Sequence, residues 1–232
     1  GYLTLDPERQ SDYPSTNHNQ AKFLGSEQEP RNDELDEIAV RFGAADVSKW
    51  FLWLSPCPYE ERIRSWITRT GLSRFQGTGY PTLIYTGDKL PKHDTTLLVR
   101  QVEKGTLSGY RDDLLAFYGE FSPLYLDTCG KPGFHHYLAL DRQRPVAAAV
   151  LYVKEAAALL MLAGTAEGHR SRGGQSALIV ERVNKALDLG CERILTETLY
   201  MLKTSLGNLR RKGFEIVYEK EVYSSWKIEK PQ

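Results

Sequence analysis

The chain has 232 residues, of which 41% are hydrophobic, and its 30 lysines and arginines are balanced by 30 aspartates and glutamates. This length provides enough core for one large domain or two small ones. A balanced net charge excludes a general attraction to nucleic acids or anionic membranes, so any anion site has to be local. No apolar stretch reaches the roughly 20 residues of a membrane-spanning helix, and we expect neither a nucleic-acid nor a membrane partner.

The cysteines give no sign of a metal or disulfide site. Cys57, Cys129 and Cys191 are far apart and odd in number, without the spacing of metal ligands or of a disulfide framework. We therefore expect no metal and a reducing, cytoplasmic location. Cys129 lies near His135 and His136 in sequence, which fits either a thiol–imidazole pair or, more simply, a loop thiol beside two strand-edge histidines.

The chain opens with a polar segment and then becomes helical. Residues 1–32 are rich in Asn, Gln, Ser and Pro, lack the pattern of a signal peptide, and predict an irregular N-terminal arm. Because the first residue is glycine, we expect a processed or trimmed start. Helical periodicity begins in DELDEIAVRFGA, residues 33–44. The residues on its apolar face are Leu35, Ile38 and Phe42.

Residues 33–94 predict a small N-terminal α/β domain. The aromatic segment KWFLWLSP at 49–56 and the segment YPTLIYTG at 80–87 predict strands. Between them, PYEERIRSWITRTGL at 58–72 predicts a helix that ends at Gly71. Its apolar stripe consists of Ile63, Trp66 and Ile67. The segment GDKLPKHD, residues 87–94, is typical of a linker to a second domain.

Residues 95–232 predict a second α/β domain with the order β-α-β-β-β-α-β-α-β. The successive segments are 95–102, helix 110–121, strands 135–141, 146–153 and 158–165, helix 174–189, strand 193–198, helix 204–212 and a pair of strands within 214–226. Short turns join the three middle strands, which makes them antiparallel, while helices carry the later crossovers. The fold class is therefore α/β with a mixed sheet.

One stretch, TAEGHRSRGGQSALIVERV at 165–183, combines the features of an anion site. These features are carried by Arg170, Arg172, Gly173, Gly174 and Ser176. The first amides of the predicted helix have no intrahelical acceptor, and the helix dipole makes this end partially positive. The glycines allow close approach of an oxyanion, the arginines add charged donors, and the serine either caps the helix or binds phosphate. The same residues also fit a plain turn followed by a solvated face.

Two common nucleotide motifs are excluded in this stretch. No Gly-Lys-Ser/Thr follows the glycines, as a Walker loop requires, and there is no Gly-x-Gly-x-x-Gly. The segment GTAEGHRSRGGQSALI instead resembles the acyl-CoA-binding motif of the GNAT N-acetyltransferase superfamily, Arg/Gln-x-x-Gly-x-Gly/Ala after the fourth strand. The matching residues are Arg170, Ser171, Arg172, Gly173, Gly174 and Gln175. Gln175 stands where the family has Gly or Ala, but it supplies the same main-chain N–H.

The resemblance extends over about residues 96–226. CERILTET at 191–198 resembles the fifth strand of the family, and SLGNLRRKGFEIVYEK at 205–220 resembles its C-terminal segment with N-x-x-x-x-G-F. A looser likeness through KWFLWLSPCP at 49–58 connects the N-terminal half with two-domain members that carry a degenerate GNAT-like copy.

The resemblance implies a GNAT-like acyl-CoA N-acyltransferase fold with acetyl-CoA, or another acyl-CoA, as cosubstrate. Main-chain amides of 170–176, including Ser176, are implied to hold the pyrophosphate. The pantetheine arm is implied to pair with main-chain groups of Leu162, Ala163, Gly164 and Thr165, as an added strand does. Asn208 is implied to lie beside the pantetheine or the thioester, and Arg210–Lys212 is either a guide for the 3′-phosphate or solvated surface.

The catalytic groups follow less directly from the motif. Many family members carry a tyrosine acid four residues before the glycine of the Gly-Phe pair, and that position is Leu209 here. The alternative acids are Tyr200, Ser205 and Tyr218. Glu197, on the predicted fifth strand, is the candidate base, and it also fits a strand-end carboxylate paired with an arginine.

We therefore expect an acetyltransferase that passes the acetyl group of acetyl-CoA to the primary amine of an unidentified acceptor by direct attack on the thioester. Two alternatives stay open at this point: a non-catalytic acyl-CoA-binding or regulatory module, and acyl transfer to a thiol or hydroxyl acceptor. The sequence leaves the acceptor and the oligomeric state undetermined.

Overall fold

A computed structural model describes residues 2–8, 19–22, 24–25, 27–75, 79–118 and 122–226. The chain forms two compact units. The first contains Gly1–Pro81, Leu199–Met201 and Tyr218–Gln232, and the second contains Thr82–Thr198 and Leu202–Val217. The predicted domain division at 33–94 and 95–232 stays a prediction, and the compact units have other limits.

The described part of the chain alternates strands and helices. The strands are β1 (Tyr2–Thr4), β2 (Gln20–Lys22), β3 (Phe51–Leu54), β4 (Ser73–Arg74), β5 (Tyr80–Tyr85), β6 (Leu98–Val102), β7 (Phe134–Asp141), β8 (Arg144–Lys154), β9 (Ala157–Thr165), β10 (Arg193–Glu197) and β11 (Glu215–Ser224). The helices are α1 (Asn32–Ala44), α2 (Glu60–Thr70), α3 (Lys104–Leu107), α4 (Arg111–Tyr118), α5 (Ser122–Thr128), α6 (Gly174–Asp188) and α7 (Lys203–Arg211). None of these helices combines the length and the apolar composition of a membrane-spanning segment.

The first unit packs α1 and α2 against a small sheet. β3 pairs in parallel with β2 and antiparallel with the C-terminal part of β11, while β1 pairs with β2 and β4 pairs with β11. The predicted apolar stripes of both helices are confirmed as buried core, together with Leu52 and Leu54 of β3. Gly71 ends α2 with a φ of 72°, a left-handed conformation that glycine adopts without steric cost.

The second unit is built on a mixed sheet with the strand order β5-β10-β9-β8-β7-β6. β10 pairs in parallel with β9 and antiparallel with β5, and the other neighbours are antiparallel, as predicted for the middle strands. Alternate residues of β8 pack on opposite faces. Ala147, Ala149 and Leu151 meet α6, whereas Ala148 and Val150 meet α4 and α5. The predicted mixed α/β fold is confirmed.

Several sequence-based predictions of the elements were wrong. Residues 214–226 form the single strand β11 instead of a pair of strands. The N-terminal arm contains β1 and β2, which are too short for a periodic pattern; residues 9–18, 23 and 26 of this arm lie outside the described residues. By contrast, the helix predicted at 110–121 is confirmed over Arg111–Tyr118, and residues 119–121 lie outside the described part. The sequence also missed α3 and α5, whose few residues carry little periodicity.

The segment 87–94 is held inside the second unit and does not connect the two units. The main-chain N–H of Leu90 donates to Oδ1 of Asn184 at 2.8 Å, and Nδ2 of Asn184 donates to the Leu90 carbonyl at 2.9 Å. The residues on both sides of the segment belong to the second unit. Its polar composition indicates an irregular segment. The two hydrogen bonds with Asn184 of α6 could not be predicted from the local sequence.

Candidate acyl-CoA site

The loop from β9 to α6, residues 166–173, reverses the chain and delivers it into the helix. Ser171 and Gly173 have φ angles of 64° and 82°, so two left-handed residues make the turn. In the described part of the chain, the main-chain N–H groups of residues 171–176 donate to no acceptor. The row of amides lies at the positive end of a helix of 15 residues. It can therefore bind an oxyanion through main-chain groups.

Gly173 has no room for a side chain. A Cβ built at this position would lie 2.9 Å from Nε2 of His93 and 3.3 Å from Cβ of Thr95. Thr95 also donates from Oγ1 to the Arg172 carbonyl at 2.9 Å. The segment before β6 thus supports the β9–α6 loop from behind, which requires a glycine at this turn.

The two arginines of the loop have different surroundings. Arg172 donates from Nη1 to Oδ2 of Asp141 at 2.6 Å, and this hydrogen bond lowers the pKa of the Asp141 carboxyl. Arg170 is exposed, with Nη1 only 4.0 Å from a highly exposed Glu167 carboxylate. Surface pairs of this kind contribute little to stability. Arg172 therefore fastens the loop to the β7–β8 turn, whereas Arg170 is available to a ligand.

A cavity of about 710 Å³ adjoins the loop. Its basic lining comes from Arg142, Arg144, His169, Arg170 and Arg172. Asp113, Asp141 and Glu167 also line it, and Arg144 and Arg172 are paired with the two aspartates. Arg142 lies in the β7–β8 turn with a φ of 58° and is a cation that the sequence did not single out. The cavity thus presents positive charge beside the row of amides, as a phosphorylated ligand requires.

The side chain of Gln175 connects α6 with α7. Its Nε2 donates to Oγ of Ser205 at 3.0 Å, and its Oε1 accepts from Nδ2 of Asn208 at 2.6 Å. Arg211 in turn donates to Oδ1 of Asn208. The structure thus brings together Ser205, Asn208 and the last residue of the motif, a contact that spacing in the sequence could not show. Because Gln175 donates to Ser205, the hydroxyl proton of Ser205 remains available to another acceptor.

The strands β9 and β10 separate beside the loop. Their ladder ends at the pair Leu160–Thr196, and the β10-facing edge of β9 continues to Thr165 without a partner strand among the described residues. The predicted pantetheine-binding residues 162–165 lie on this open edge. An extended ligand can therefore add to β9 as a further strand would.

The other candidate catalytic residues are spread over the two units. Glu197 is exposed at the end of β10 in the second unit. Tyr200 and Tyr218 belong to the first unit, and the Tyr200 N–H donates to the Gly79 carbonyl at 3.3 Å. Leu209, at the position of the family tyrosine, is buried in the core of the second unit.

The cysteine near the histidines is not part of a thiol–imidazole pair. Nε2 of His136 lies 2.8 Å from the Tyr125 carbonyl and 3.1 Å from Oγ1 of Thr128. Burial lowers the pKa of His136 to about 4 and raises the pKa of Cys129. Both groups are therefore neutral at physiological pH, and the structural interpretation of this cluster is confirmed.

Comparisons with known proteins show which known structures share this fold. No protein-family model and no curated protein matches the chain. Among solved structures, a GCN5-related N-acetyltransferase from Kribbella flavida is 17% identical, with 82% of this chain and 73% of that chain covered and a TM-score of 0.61. A GCN5-related N-acetyltransferase from Sphaerobacter thermophilus is 12% identical, with 84% and 68% covered and a TM-score of 0.60.

A tandem GNAT protein from the clavulanic acid biosynthesis pathway is also similar. It is 10% identical, with 87% of this chain and 73% of that chain covered and a TM-score of 0.64. At these identities the three structures establish the fold alone. The activity has to be argued from the residues of this chain.

Proposed function

We propose that this chain, which has the GNAT fold, transfers the acetyl group of acetyl-CoA to a primary amine. The observation that carries the proposal is the row of unpaired main-chain N–H groups at 171–176, at the N-terminus of α6 and beside a basic cavity. A pyrophosphate is the anion that such a row of amides fits best, because its adjacent oxygens accept several hydrogen bonds at once.

The parts of acyl-CoA have matching surfaces in the second unit. We infer that the pyrophosphate binds the amides of residues 171–176 and that Arg170 contacts it through the exposed guanidinium, since the Arg170 N–H itself donates to the Glu167 carbonyl at 3.3 Å. The pantetheine arm would add to the open edge of β9 at Leu162–Thr165, which lies between the loop and the end of the β9–β10 ladder. The basic cavity would take the adenosine 3′-phosphate, with Arg142 as the lining arginine that makes no ion pair in the described chain.

The proposed reaction is a direct attack of the amine on the thioester. The amine nitrogen attacks the thioester carbonyl carbon, the C–S bond breaks, and CoA leaves as the thiolate. Glu197, at the end of β10, would first remove a proton from the ammonium group of the acceptor, directly or through water, and the neutral amine then attacks. Ser205 would donate its hydroxyl proton toward the thiolate, because Gln175 occupies the oxygen as a donor. A thiolate is a good leaving group, so a weak acid is sufficient.

A second candidate function is supported by Leu209. At the position where many GNAT enzymes carry a tyrosine acid, this chain has a buried leucine, which cannot donate a proton. A protein that binds acyl-CoA without transferring the acyl group would tolerate this residue. Calorimetric titration with CoA tests both functions, and release of free CoA from acetyl-CoA across a panel of primary amines, thiols and alcohols separates them. Binding without release for any acceptor would favour the binding module, and no binding would contradict both.

Removal of the 3′-phosphate from CoA is expected to weaken binding to the wild type about tenfold, because a charge-assisted contact is lost. In the variant Arg142→Ala, CoA and dephospho-CoA are expected to bind alike. Arg100→Ala is the control, since Arg100 is an exposed arginine on β6 outside the cavity, where it donates to the hydroxyl of Tyr110 at 3.1 Å. Calorimetry measures both affinities, and a preference for CoA that survives in Arg142→Ala would contradict this use of the cavity.

The variant Ser205→Ala is expected to lower kcat about tenfold, the lower end for loss of a hydrogen-bond donor to a charged group, with CoA affinity unchanged. Thr204→Ala is the matched control, because Thr204 is the exposed neighbour on the same helical turn. Steady-state release of CoA gives kcat, and calorimetry gives the affinity. An unchanged kcat in Ser205→Ala would exclude Ser205 as the acid and assign the proton to water.

A further inference from the structure

The open edge of β9 is interrupted by a bulge. In the antiparallel ladder with β8, Ala148 faces Gly164 and Val150 faces Met161, so two residues of β9 stand opposite Ala149 alone. The first of them, Leu162, has a φ of 47°, in the left-handed region that is strained for this side chain. A bulge turns main-chain groups out of the ladder. A strained bulge of this kind persists only where neighbouring residues fix its geometry. This bulge lies within the segment that we assign to pantetheine.

Tyr118 of α4 holds the bulge from one side. Its hydroxyl donates to the carbonyl of Leu162, the strained residue itself. Its ring lies against Gly164, where a Cβ would approach the ring carbon Cε1 to 2.9 Å. Burial raises the pKa of Tyr118 well above its usual value, so the hydroxyl keeps its proton throughout the range of enzyme assays.

Arg182 of α6 holds the start of the bulge. Its side chain is buried, and Nη1 donates to the carbonyl of Met161 at 3.3 Å and to that of Val150 at 3.1 Å. No described carboxylate forms an ion pair with it, and its Nε donates to its own helix at Leu178. The carbonyls therefore compensate the buried charge.

A buried, unpaired cation is a poor way to stabilise a fold. Taking a charge out of water costs several kcal/mol, and apolar residues of similar size often give equal or greater stability. What the guanidinium adds is one nitrogen, Nη1, that donates to β8 and to β9 at the start of the bulge, while Nε is fixed by the Leu178 carbonyl of its own helix. The arrangement is therefore better explained by the need for one bulge geometry than by stability.

We propose that Tyr118 and Arg182 are positioning residues that hold the Leu162 bulge, and with it the open edge of β9, in the geometry that aligns the acyl thioester for attack. The inference rests on the proposed acyl transfer. Neither side chain needs to touch the substrate, because each acts through a carbonyl of β9. A preorganised main chain is required more strictly by the transition state than by bound CoA.

The pair of variants Tyr118→Phe and Tyr125→Phe tests the inference. The two rings pack at a centroid distance of 4.9 Å, and each hydroxyl donates to a carbonyl, but that of Tyr125 donates to Tyr137 of β7, which is separated from the bulge by β8. Tyr118→Phe is expected to lower kcat about tenfold, the cost of one lost hydrogen bond, with CoA affinity within about twofold of the wild type. Tyr125→Phe is expected to leave both within about twofold. The difference should be constant between about pH 6 and 9, because the Tyr118 hydroxyl stays protonated.

Amide hydrogen exchange gives a readout that does not depend on turnover. Exchange at residues 161–165 is expected to rise in Tyr118→Phe and in Arg182→Lys, and to stay unchanged in Tyr125→Phe. Lysine keeps the charge but loses the hydrogen bond from Nε to Leu178 that orients Nη1. Equal kcat or equal exchange in Tyr118→Phe and Tyr125→Phe would overturn the inference and leave the proposed function intact. A wild type that does not bind CoA, or that binds it without transfer to any acceptor, would overturn both.

Discussion

Replacement of Gly173 by valine is expected to reduce CoA affinity by at least about 100-fold, the equivalent of one to two charge-assisted hydrogen bonds. Gly173 has a φ of 82°, which a β-branched residue adopts only at high cost. Its Cβ would also collide with His93, whose Nε2 would be 2.9 Å away. Because the φ strain lies in the main chain of the turn itself, the loop has to move, and the N–H groups of residues 171–176 no longer point toward one ligand.

Gly168→Val provides the matched control for this prediction. Gly168 lies in the same loop, and a Cβ there would meet no atom within 4 Å. We expect CoA affinity within about twofold of the wild type for this control, as for a surface change away from the site. Calorimetry measures the affinities, and thermal unfolding checks that both variants are folded. A folded Gly173→Val variant with wild-type affinity would contradict a main-chain pyrophosphate site.

Replacement of Glu197 by glutamine is expected to lower kcat about 100-fold at neutral pH, the lower range for loss of a general base. Glutamine keeps the shape of the side chain but cannot take a proton from the ammonium group of the acceptor. CoA affinity should be unchanged, because none of the residues that we assign to CoA lies on β10; they lie on β9, in the β9–α6 loop, at the start of α6, on α7 and in the β7–β8 turn. An amine acceptor supplied at a pH above its own pKa should recover part of the rate, since it arrives without the proton that Glu197 would remove.

Glu192→Gln is the control for this second prediction. Glu192 is an exposed carboxylate just before β10, whereas Glu197 is the last residue of that strand. We expect kcat within about twofold of the wild type for Glu192→Gln. Release of CoA under saturating acceptor gives kcat for both variants. An unchanged rate in Glu197→Gln would exclude this residue as the base and leave it as a strand-end carboxylate.

The helices and most strands of this chain could be predicted because their patterns are local. The apolar stripes of α1 and α2 repeat at helical spacing within a dozen residues, and the antiparallel middle strands of the second unit are joined by turns too short for any other arrangement. The β9–α6 loop was recognisable for the same reason, since its glycines, its arginines and the following helix are contiguous. Its role in binding acyl-CoA remains the proposal made above.

Only the tertiary structure decided how distant residues combine. The sequence did not show that Gln175 contacts Ser205, that Arg182 and Tyr118 converge on one bulge, or that β11 is a single strand which pairs with β3. These contacts join residues that are 21 to 173 positions apart in the chain, and no local pattern encodes them. The sequence by itself thus determined the elements and the type of loop. Tertiary packing determined the bulge, the surroundings of each candidate side chain and the division into units. All three depend on which buried surfaces pack together and which hydrogen-bonding groups find partners.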